Sequence, residues 1–255
     1  MAAPLARALA AALPDEPRWL ETRAMLASGH AVVTGGETVE AGFVVRVVHG
    51  AASAVAVVGR PPAPAIVDAV SGATELTPLI AQTADASHVA DALRMDRRRP
   101  WTSERAILHL RDASSPLPIP TSTDVRLLTR ADSLQHLPVG LRHEIAHAQD
   151  FAPVAAVFVD RRPVSFCYPV WTTEQFWDVS IDTLEEHRGR SLGATAVSFM
   201  ADRMRREGRE PVWGALESNQ PSLRLGAKLG FRPVGEIVVF STGGWVFLSG
   251  GFTGA

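Results

Sequence analysis

Between Trp177 and Arg206 the chain changes its hydrophobic period, and this change constrains the fold more than any other stretch. Trp177 to Thr183 alternates, with Asp178, Ser180 and Asp182 on one face and Val179 and Ile181 on the other. A period of two marks a strand. From about Ala194 to Arg206, the apolar residues Ala196, Val197, Met200 and Met204 recur at helical spacing, and Gly208 closes the run. Between strand and helix lies Glu185-Glu186-His187-Arg188-Gly189-Arg190-Ser191-Leu192-Gly193-Ala194. A turn of glycine and small residues there leaves backbone N–H groups unpaired at the positive end of the helix dipole. Phosphate binds well at such a place, and Arg188 and Arg190 add charge. The loop reads as a site for a phosphorylated ligand. Taken alone, it also suits an ordinary connection with solvated arginines.

The loop lacks the Gly-Lys-Ser/Thr ending of a nucleotide-triphosphate loop, and it is not Gly-x-Gly-x-x-Gly. A second segment narrows the choice. Pro211 to Leu216 reads as a short strand, followed by Glu217-Ser218-Asn219-Gln220-Pro221-Ser222-Leu223-Arg224-Leu225-Gly226-Ala227-Lys228-Leu229-Gly230-Phe231. Asn219 suits an N-cap, Pro221 a first turn and Gly230 a C-terminal stop. Leu225 and Leu229 form an i,i+4 apolar pair.

Together the two segments resemble the GNAT superfamily of acyl-CoA-dependent N-acyltransferases, over roughly residues 124–240. The family's Arg/Gln-x-x-Gly-x-Gly/Ala loop reads Arg188-x-x-Ser191-x-Gly193 here, with serine for the first glycine. Its later signature reads Asn219, Ser222, Leu229, Gly230 and Phe231. The resemblance implies an α+β fold: a mixed, mostly antiparallel sheet flanked by helices, its central strand splayed from the next to admit an acyl-pantetheine arm. It also implies acetyl-CoA as co-substrate. Backbone around Ile181, Asp182 and Thr183 would hold the arm. Arg188, Gly189, Arg190, Ser191, Leu192, Gly193 and Ala194 would hold the pyrophosphate, with Asn219 and Ser222 among the cofactor-binding positions. Ser191 is expected in a conformation open to non-glycine residues, away from positive φ.

The 255 residues permit one large domain or two small ones. A hydrophobic share of 46% and a charged share of 20% suit a globular chain with a real core. A net charge of −2 favours no general nucleic-acid surface. No stretch approaches the roughly 20 apolar residues needed to cross a bilayer. The alanine-rich start, Met1 to Leu13, has only Arg7 as its positive region, and Pro14-Asp15-Glu16-Pro17 leads into a helix-like Trp19 to Leu26. It reads as an amphipathic or frayed N-terminus of a cytoplasmic protein. Cys167 is the only cysteine, so no intrachain disulfide framework exists. Its strand-like setting suits a buried, inert thiol better than a nucleophile.

Ser114-Ser115-Pro116-Leu117-Pro118-Ile119-Pro120 is the best linker, because alternating prolines block helix and inner-strand pairing. It divides an N-terminal α+β domain, residues 1–120, from a transferase domain, residues 121–255. In the first, Gly42 to Val48 and Ala54 to Val58 read as strands around a turn at 49–52. Ala65 to Val70 reads as a helix, Glu75 to Ala81 as a strand, Ser87 to Met95 as a helix and Trp101 to Arg111 as a strand. This order echoes the back half of the resembled fold without its phosphate loop: a degenerate GNAT-like half or a companion domain. In the second, Val125 to Leu128 is a strand, and Ala131 to Leu137 and Val139 to Gln149 are helix-like. Val154 to Val159 and Val164 to Tyr168 form a hairpin, and Val234 to Phe240 and Trp245 to Leu248 close the chain as strands.

Acyl transfer to an amine requires the amine to lose a proton, the thioester oxygen to be stabilised and the thiolate to be protonated. The resembled family places its tyrosine acid four residues before the Gly-Phe pair. That position is Gly226 here, and the only tyrosine is Tyr168, on another strand. Glu217, at the end of the strand before Asn219, and Asp178, on the polar strand face, are the candidate bases, with Glu174 behind them. Each also suits a solvated position. His143-Glu144-x-x-His147 has the order of a zinc protease helix. It also lies where the resemblance places a substrate-side helix, so its side chains suit substrate or solvent. The reading is an N-acetyltransferase without a metal, acting on a small-molecule or peptide amine by direct attack. An acyl-CoA-binding module with little turnover is the alternative, and a zinc hydrolase the third.

Overall fold

The structure, a computed structural model, describes residues 2–49, 52–71, 77–112 and 124–242. In chain order the elements are α1 (Ala2–Ala12), α2 (Leu20–Ala27), β1 (Ala31–Gly35), β2 (Phe43–His49), β3 (Ala52–Val58), α3 (Ala63–Ser71), β4 (Leu79–Gln82), α4 (Ala86–Leu93) and β5 (Thr102–Arg111). They continue with β6 (Asp124–Leu127), α5 (Val139–Phe151), β7 (Ala155–Val159), β8 (Arg162–Tyr168), β9 (Phe176–Asp178), β10 (Ser180–Thr183), α6 (Leu192–Arg206), β11 (Glu210–Leu216), α7 (Gln220–Lys228) and β12 (Phe231–Ser241). Among the described residues the chain divides into two compact units: one takes the residues up to Leu108 and those from Val234 onward, the other His109–Pro233. Strands β5 and β12 each give residues to both.

The first unit is a sheet ordered β1-β2-β3-β4-β12-β5. β1, β2 and β3 pair antiparallel, β3 and β4 parallel, and β4 and β12 antiparallel. The parallel step needs a crossover, and α3 supplies it. Val55, Val57, Leu79, Val238 and Phe240 of the sheet bury against Ile66 and Val70 of α3 and Val89 and Leu93 of α4. The hairpin Gly42 to Val58, the two helices and β5 follow the sequence pattern. β1 had no strong alternating signal, and its exposed Thr34 and Gly35 show why. Val234 to Phe240 was grouped by sequence with the second half of the chain. Its side chains complete the first unit's core instead.

The second unit holds β10-β8-β7-β6 in one sheet and β11 between β5 and β9 in another. The β7–β8 hairpin turns on Asp160 and Arg161, both at positive φ (49° and 65°), the geometry of a two-residue primed turn. Its core gathers Ile145 from α5, Val157, Phe166 and Tyr168 from the hairpin, Val197 and Met200 from α6, and Trp177, Trp213 and Phe231. Ala131 to Leu137 is not a helix. Asp132 takes the Thr129 N–H at 2.8 Å and ion-pairs with Arg126, which fixes a turn, and Pro138 then starts α5. Cys167 is a free, buried thiol, and burial holds its pKa well above the usual range.

The fold class is therefore α+β, a mixed and mostly antiparallel sheet flanked by helices, with a second α+β part. In the first unit α3 lies between β3 and a parallel β4, and in the second α6 lies between β9 and a parallel β11. The expected linker at 114–120, the division near 121 and the strand Trp245 to Leu248 lie outside the described residues, as do residues 50–51 of the first hairpin turn and the start of the strand read at Glu75.

Candidate functional site

The strand read as continuous from Trp177 to Thr183 changes partner in its middle. β9 pairs in parallel with β11, Phe176 to Asp178 opposite Glu210 to Val212. The Val179 N–H still reaches the Val212 carbonyl, at 3.0 Å. From Ser180 onward the strand, now β10, pairs antiparallel with β8, from Ser180 opposite Tyr168 to Thr183 opposite Ser165. β10 and β11 are not neighbours in any described sheet. The face alternation survives the change, because the Asp178 N–H turns to the Trp171 carbonyl while that of Val179 turns to β11.

The loop after β10 leads into α6. Gly189 (φ 73°) and Ser191 (φ 61°) both lie in the left-handed region. The sequence expectation for Ser191 is thus corrected: it adopts the positive φ for which the family pattern uses glycine. It is also the N-cap residue of α6, and no side chain caps that helix start. Gly193 faces β10, and a methyl group there would meet Ile181 Cδ1 at 2.7 Å and Thr183 Oγ1 at 3.3 Å. The missing side chain lets α6 close on the strand. Leu192 is buried and Ala194 half-buried. Arg188 donates from Nε to the Thr183 carbonyl (3.3 Å), and Arg190 donates to His187 Nδ1 (3.1 Å). The loop thus combines an uncapped helix start with two exposed arginines.

Asn219 caps α7 as read from the sequence: its Oδ1 accepts from the Ser222 N–H at 3.1 Å. Ser222 is buried, and its Oγ accepts from Trp213 Nε1 at 3.1 Å. Glu217 is exposed at the end of β11. Asp178 is buried, and its Oδ1 accepts from the N–H groups of Val170 (2.8 Å) and Trp171 (2.7 Å). Its Oδ2 is buried without a partner. Burial pushes this carboxyl up to about 7, against the pull of those N–H groups. Glu174 sits in the turn before β9.

A cluster that sequence reading did not assemble lies on the other face of β10. Tyr168, 1% exposed, donates its hydroxyl to Glu144 Oε1 of α5 (2.5 Å) and lies 3.4 Å from Asp182 Oδ2. Burial pushes Asp182 up to about 6, opposed by the Tyr168 hydroxyl and the Arg188 charge. Burial, with the nearby Asp182 and Glu144 charges, holds the phenol well above its usual range. Glu144, Tyr168 and Asp182 each stood out in the sequence for a different reason, and only the β8–β10 register joins them. Of the two histidines beside Glu144, His143 is exposed and His147 packs edge-on to Phe151. Among the described residues, no three His, Cys, Asp or Glu converge in a way that could hold a metal ion.

The equivalent turn of the first unit, between β3 and α3, reads Gly59-Arg60-Pro61-Pro62, with Pro64 inside the helix start. Three prolines remove three N–H donors, so it offers an anion far less than the α6 loop does.

A family model described as GNAT acetyltransferase matches residues 155–240. No curated protein matches the sequence. Among solved structures, an N-acetyltransferase-like protein from Streptococcus suis superposes with a TM-score of 0.69 at 15% identity, over 94% of this chain and 99% of its own. An N-acetyltransferase from Kribbella flavida gives 0.59 at 15% identity, over 90% and 95%. A tandem GNAT protein from the clavulanic acid biosynthesis pathway gives 0.57 at 17% identity, over 95% and 94%. At these identities the likeness is one of fold. The family match, the loop before α6 and the parting of β10 from β11 agree: residues 155–240 of this chain match the GNAT acetyltransferase family.

Proposed function

We propose that the second unit is an acyl-CoA-dependent N-acyltransferase, moving an acetyl group from acetyl-CoA to an amine by direct attack. The observation that carries this reading is the uncapped start of α6, placed directly after a strand that has left its neighbour. The pyrophosphate would lie on the N–H groups of Leu192, Gly193 and Ala194, beside Arg188 and Arg190. The pantetheine arm would run along Ile181, Asp182 and Thr183. Asn219 and Ser222 would contribute by fixing the start of α7, since their side chains are engaged in its cap and with Trp213. The amine nitrogen bonds to the thioester carbon, the carbon–sulfur bond breaks, and the thiolate leaves and takes a proton. The acceptor is a small-molecule or peptide amine, the setting cytoplasmic, and no metal takes part. No helix among the described residues is long and apolar enough to cross a membrane.

Glu217 and Asp178 are the bases that the sequence nominates. Glu217 would act from an exposed position at the end of β11, and Asp178 only through its unpartnered Oδ2. Asp182 is a third carboxylate, half-buried on the strand that would line the arm.

Thiol release from acetyl-CoA across a panel of amines tests the reading. Turnover with at least one amine is expected. CoA binding without turnover of any amine would favour an acyl-CoA-binding module instead. Ser191→Asp tests the loop itself: aspartate tolerates left-handed backbone and suits a helix start, yet its charge opposes phosphate. CoA affinity should fall on the order of tenfold or more while the fold is kept. Unchanged affinity would remove the phosphate from this loop.

A further inference from the structure

We propose that Tyr168 passes protons between Asp182 on β10 and Glu144 on α5, so that the proton lost by the attacking amine leaves through α5. The proposal rests on the transferase reading above and adds to it a path and two residues.

The geometry has three parts. Tyr168 is 1% exposed, whereas the carboxylates it joins are both half-buried, so a shielded phenol spans two groups with access to the outside. The phenol contacts both, at 2.5 Å to Glu144 and 3.4 Å to Asp182. And the hydroxyl has one hydrogen and two lone pairs. It cannot donate to two carboxylates at once. With Asp182 ionised, the hydrogen can face Asp182 and favour its anion; with Asp182 protonated, the hydrogen faces Glu144 and the phenol oxygen accepts from Asp182. The three groups then form one directed chain, from Asp182 O–H to Tyr168 O–H to the Glu144 carboxylate.

The step balances. Asp182, as carboxylate, takes the amine's proton as the nitrogen–carbon bond forms. Asp182 then gives a proton to the Tyr168 oxygen while Tyr168 gives its own to Glu144. Asp182 returns to carboxylate, Tyr168 stays neutral and Glu144 carries the proton to solvent. No oxidant, metal or free phenolate is needed. Burial favours the protonated form of Asp182, so the chain is charged from the amine side. The other groups around Asp182 are Arg188, whose charge favours the carboxylate, and Cys167 on β8, which senses the charge and is kept neutral by burial. α5 also carries His143 and His147, the latter against Phe151.

The test is the pH dependence of kcat/KM for wild type, Tyr168→Phe, Glu144→Gln and the double variant, with CoA affinity as the check on folding. Tyr168→Phe should lower the rate on the order of 10²-fold or more with CoA affinity kept. Its acid limb should move to higher pH, because the hydroxyl that favours the Asp182 anion is gone. Glu144→Gln still accepts from Tyr168 but cannot take the proton. It should lower the rate to a similar extent, and the double variant should be no worse than Tyr168→Phe alone. A wild type that turns over, with Tyr168→Phe matching it in rate and limb, overturns the relay and leaves the transferase reading standing. If wild type turns over no amine, that reading fails instead. The linkage is then decided by pH-difference infrared spectra of the Asp182 carboxyl, assigned with Asp182→Asn: a titration unmoved by Tyr168→Phe overturns it, and an upward move supports it.

Discussion

Gly226 lies against the indole of Trp213: a methyl group at residue 226 would sit 3.1 Å from Nε1 and 3.2 Å from Cδ1 of that ring. Trp213 is buried, donates to Ser222 and packs against Phe231, with ring centroids 5.3 Å apart. The position at which the resemblance expects a tyrosine therefore holds a glycine that makes room for a tryptophan on the neighbouring strand. Restoring the tyrosine alone should not restore an acid. Gly226→Tyr is expected to destabilise the protein by about 1–3 kcal/mol through overpacking, without raising turnover, as denaturant titration and acetyl-CoA assays would show.

Ser191 holds a left-handed conformation that costs an L-residue roughly 1–2 kcal/mol. Ser191→Gly removes that cost and adds freedom to the unfolded chain, so stability should rise by less than the full amount, on the order of 0.5–1 kcal/mol. CoA affinity should change little, because the backbone keeps its course. A clear loss of stability in urea would mean that the hydroxyl contributes something the geometry does not show.

Asp178 gives stability an inverted pH dependence. Its carboxyl titrates near 7 in the fold and near 3.8 when free. Between those values the folded state holds a proton that the unfolded state has lost, so stability falls as pH rises, by up to about 1.4 kcal/mol per pH unit for one group. Asp182, displaced upward for the same reason, adds a slope of the same sign up to about pH 6. Asp178→Asn keeps an oxygen for the Val170 and Trp171 N–H groups. It should flatten the part of the slope nearest pH 7, as stability measured at pH 5, 6 and 7 would reveal. An unchanged slope would contradict the assignment.

Asn219→Ala removes the one side chain seen to cap α7, through the 3.1 Å bond from the Ser222 N–H. A loss of about 1 kcal/mol is expected, measured by chemical denaturation. Asn219→Asp should recover most of it, since a carboxylate accepts the same bond beside the helix dipole.

Local signals carried much of the fold into view. Asn219, Pro221 and Gly230 mark both ends of α7 because capping chemistry is written within a few residues. The α6 loop was legible for the same reason. What local pattern could not supply was partner choice. Nothing in the alternation from Trp177 to Thr183 says that the strand exchanges β11 for β8 at Val179, since both partners accept the same face pattern. The Tyr168 cluster was hidden likewise: Glu144 precedes Tyr168 by 24 residues and Asp182 follows it by 14, and only tertiary register brings them together. Ala131 to Leu137 misled because its composition suits a helix, while Asp132 spends its carboxylate on Thr129 and Arg126.

The position of β12 bears on how the chain is made. Its residues Ile237 to Phe240 pair with Gln82 to Leu79 of β4, a strand that leaves the ribosome about 150 residues earlier. Until β12 is translated, the nascent first unit has an open sheet edge beside β4, with Leu79 and Ile80 uncovered on that side. Such an edge is a template for any passing strand. The interval between translating β4 and translating β12 is therefore the period in which that edge is open to mispairing.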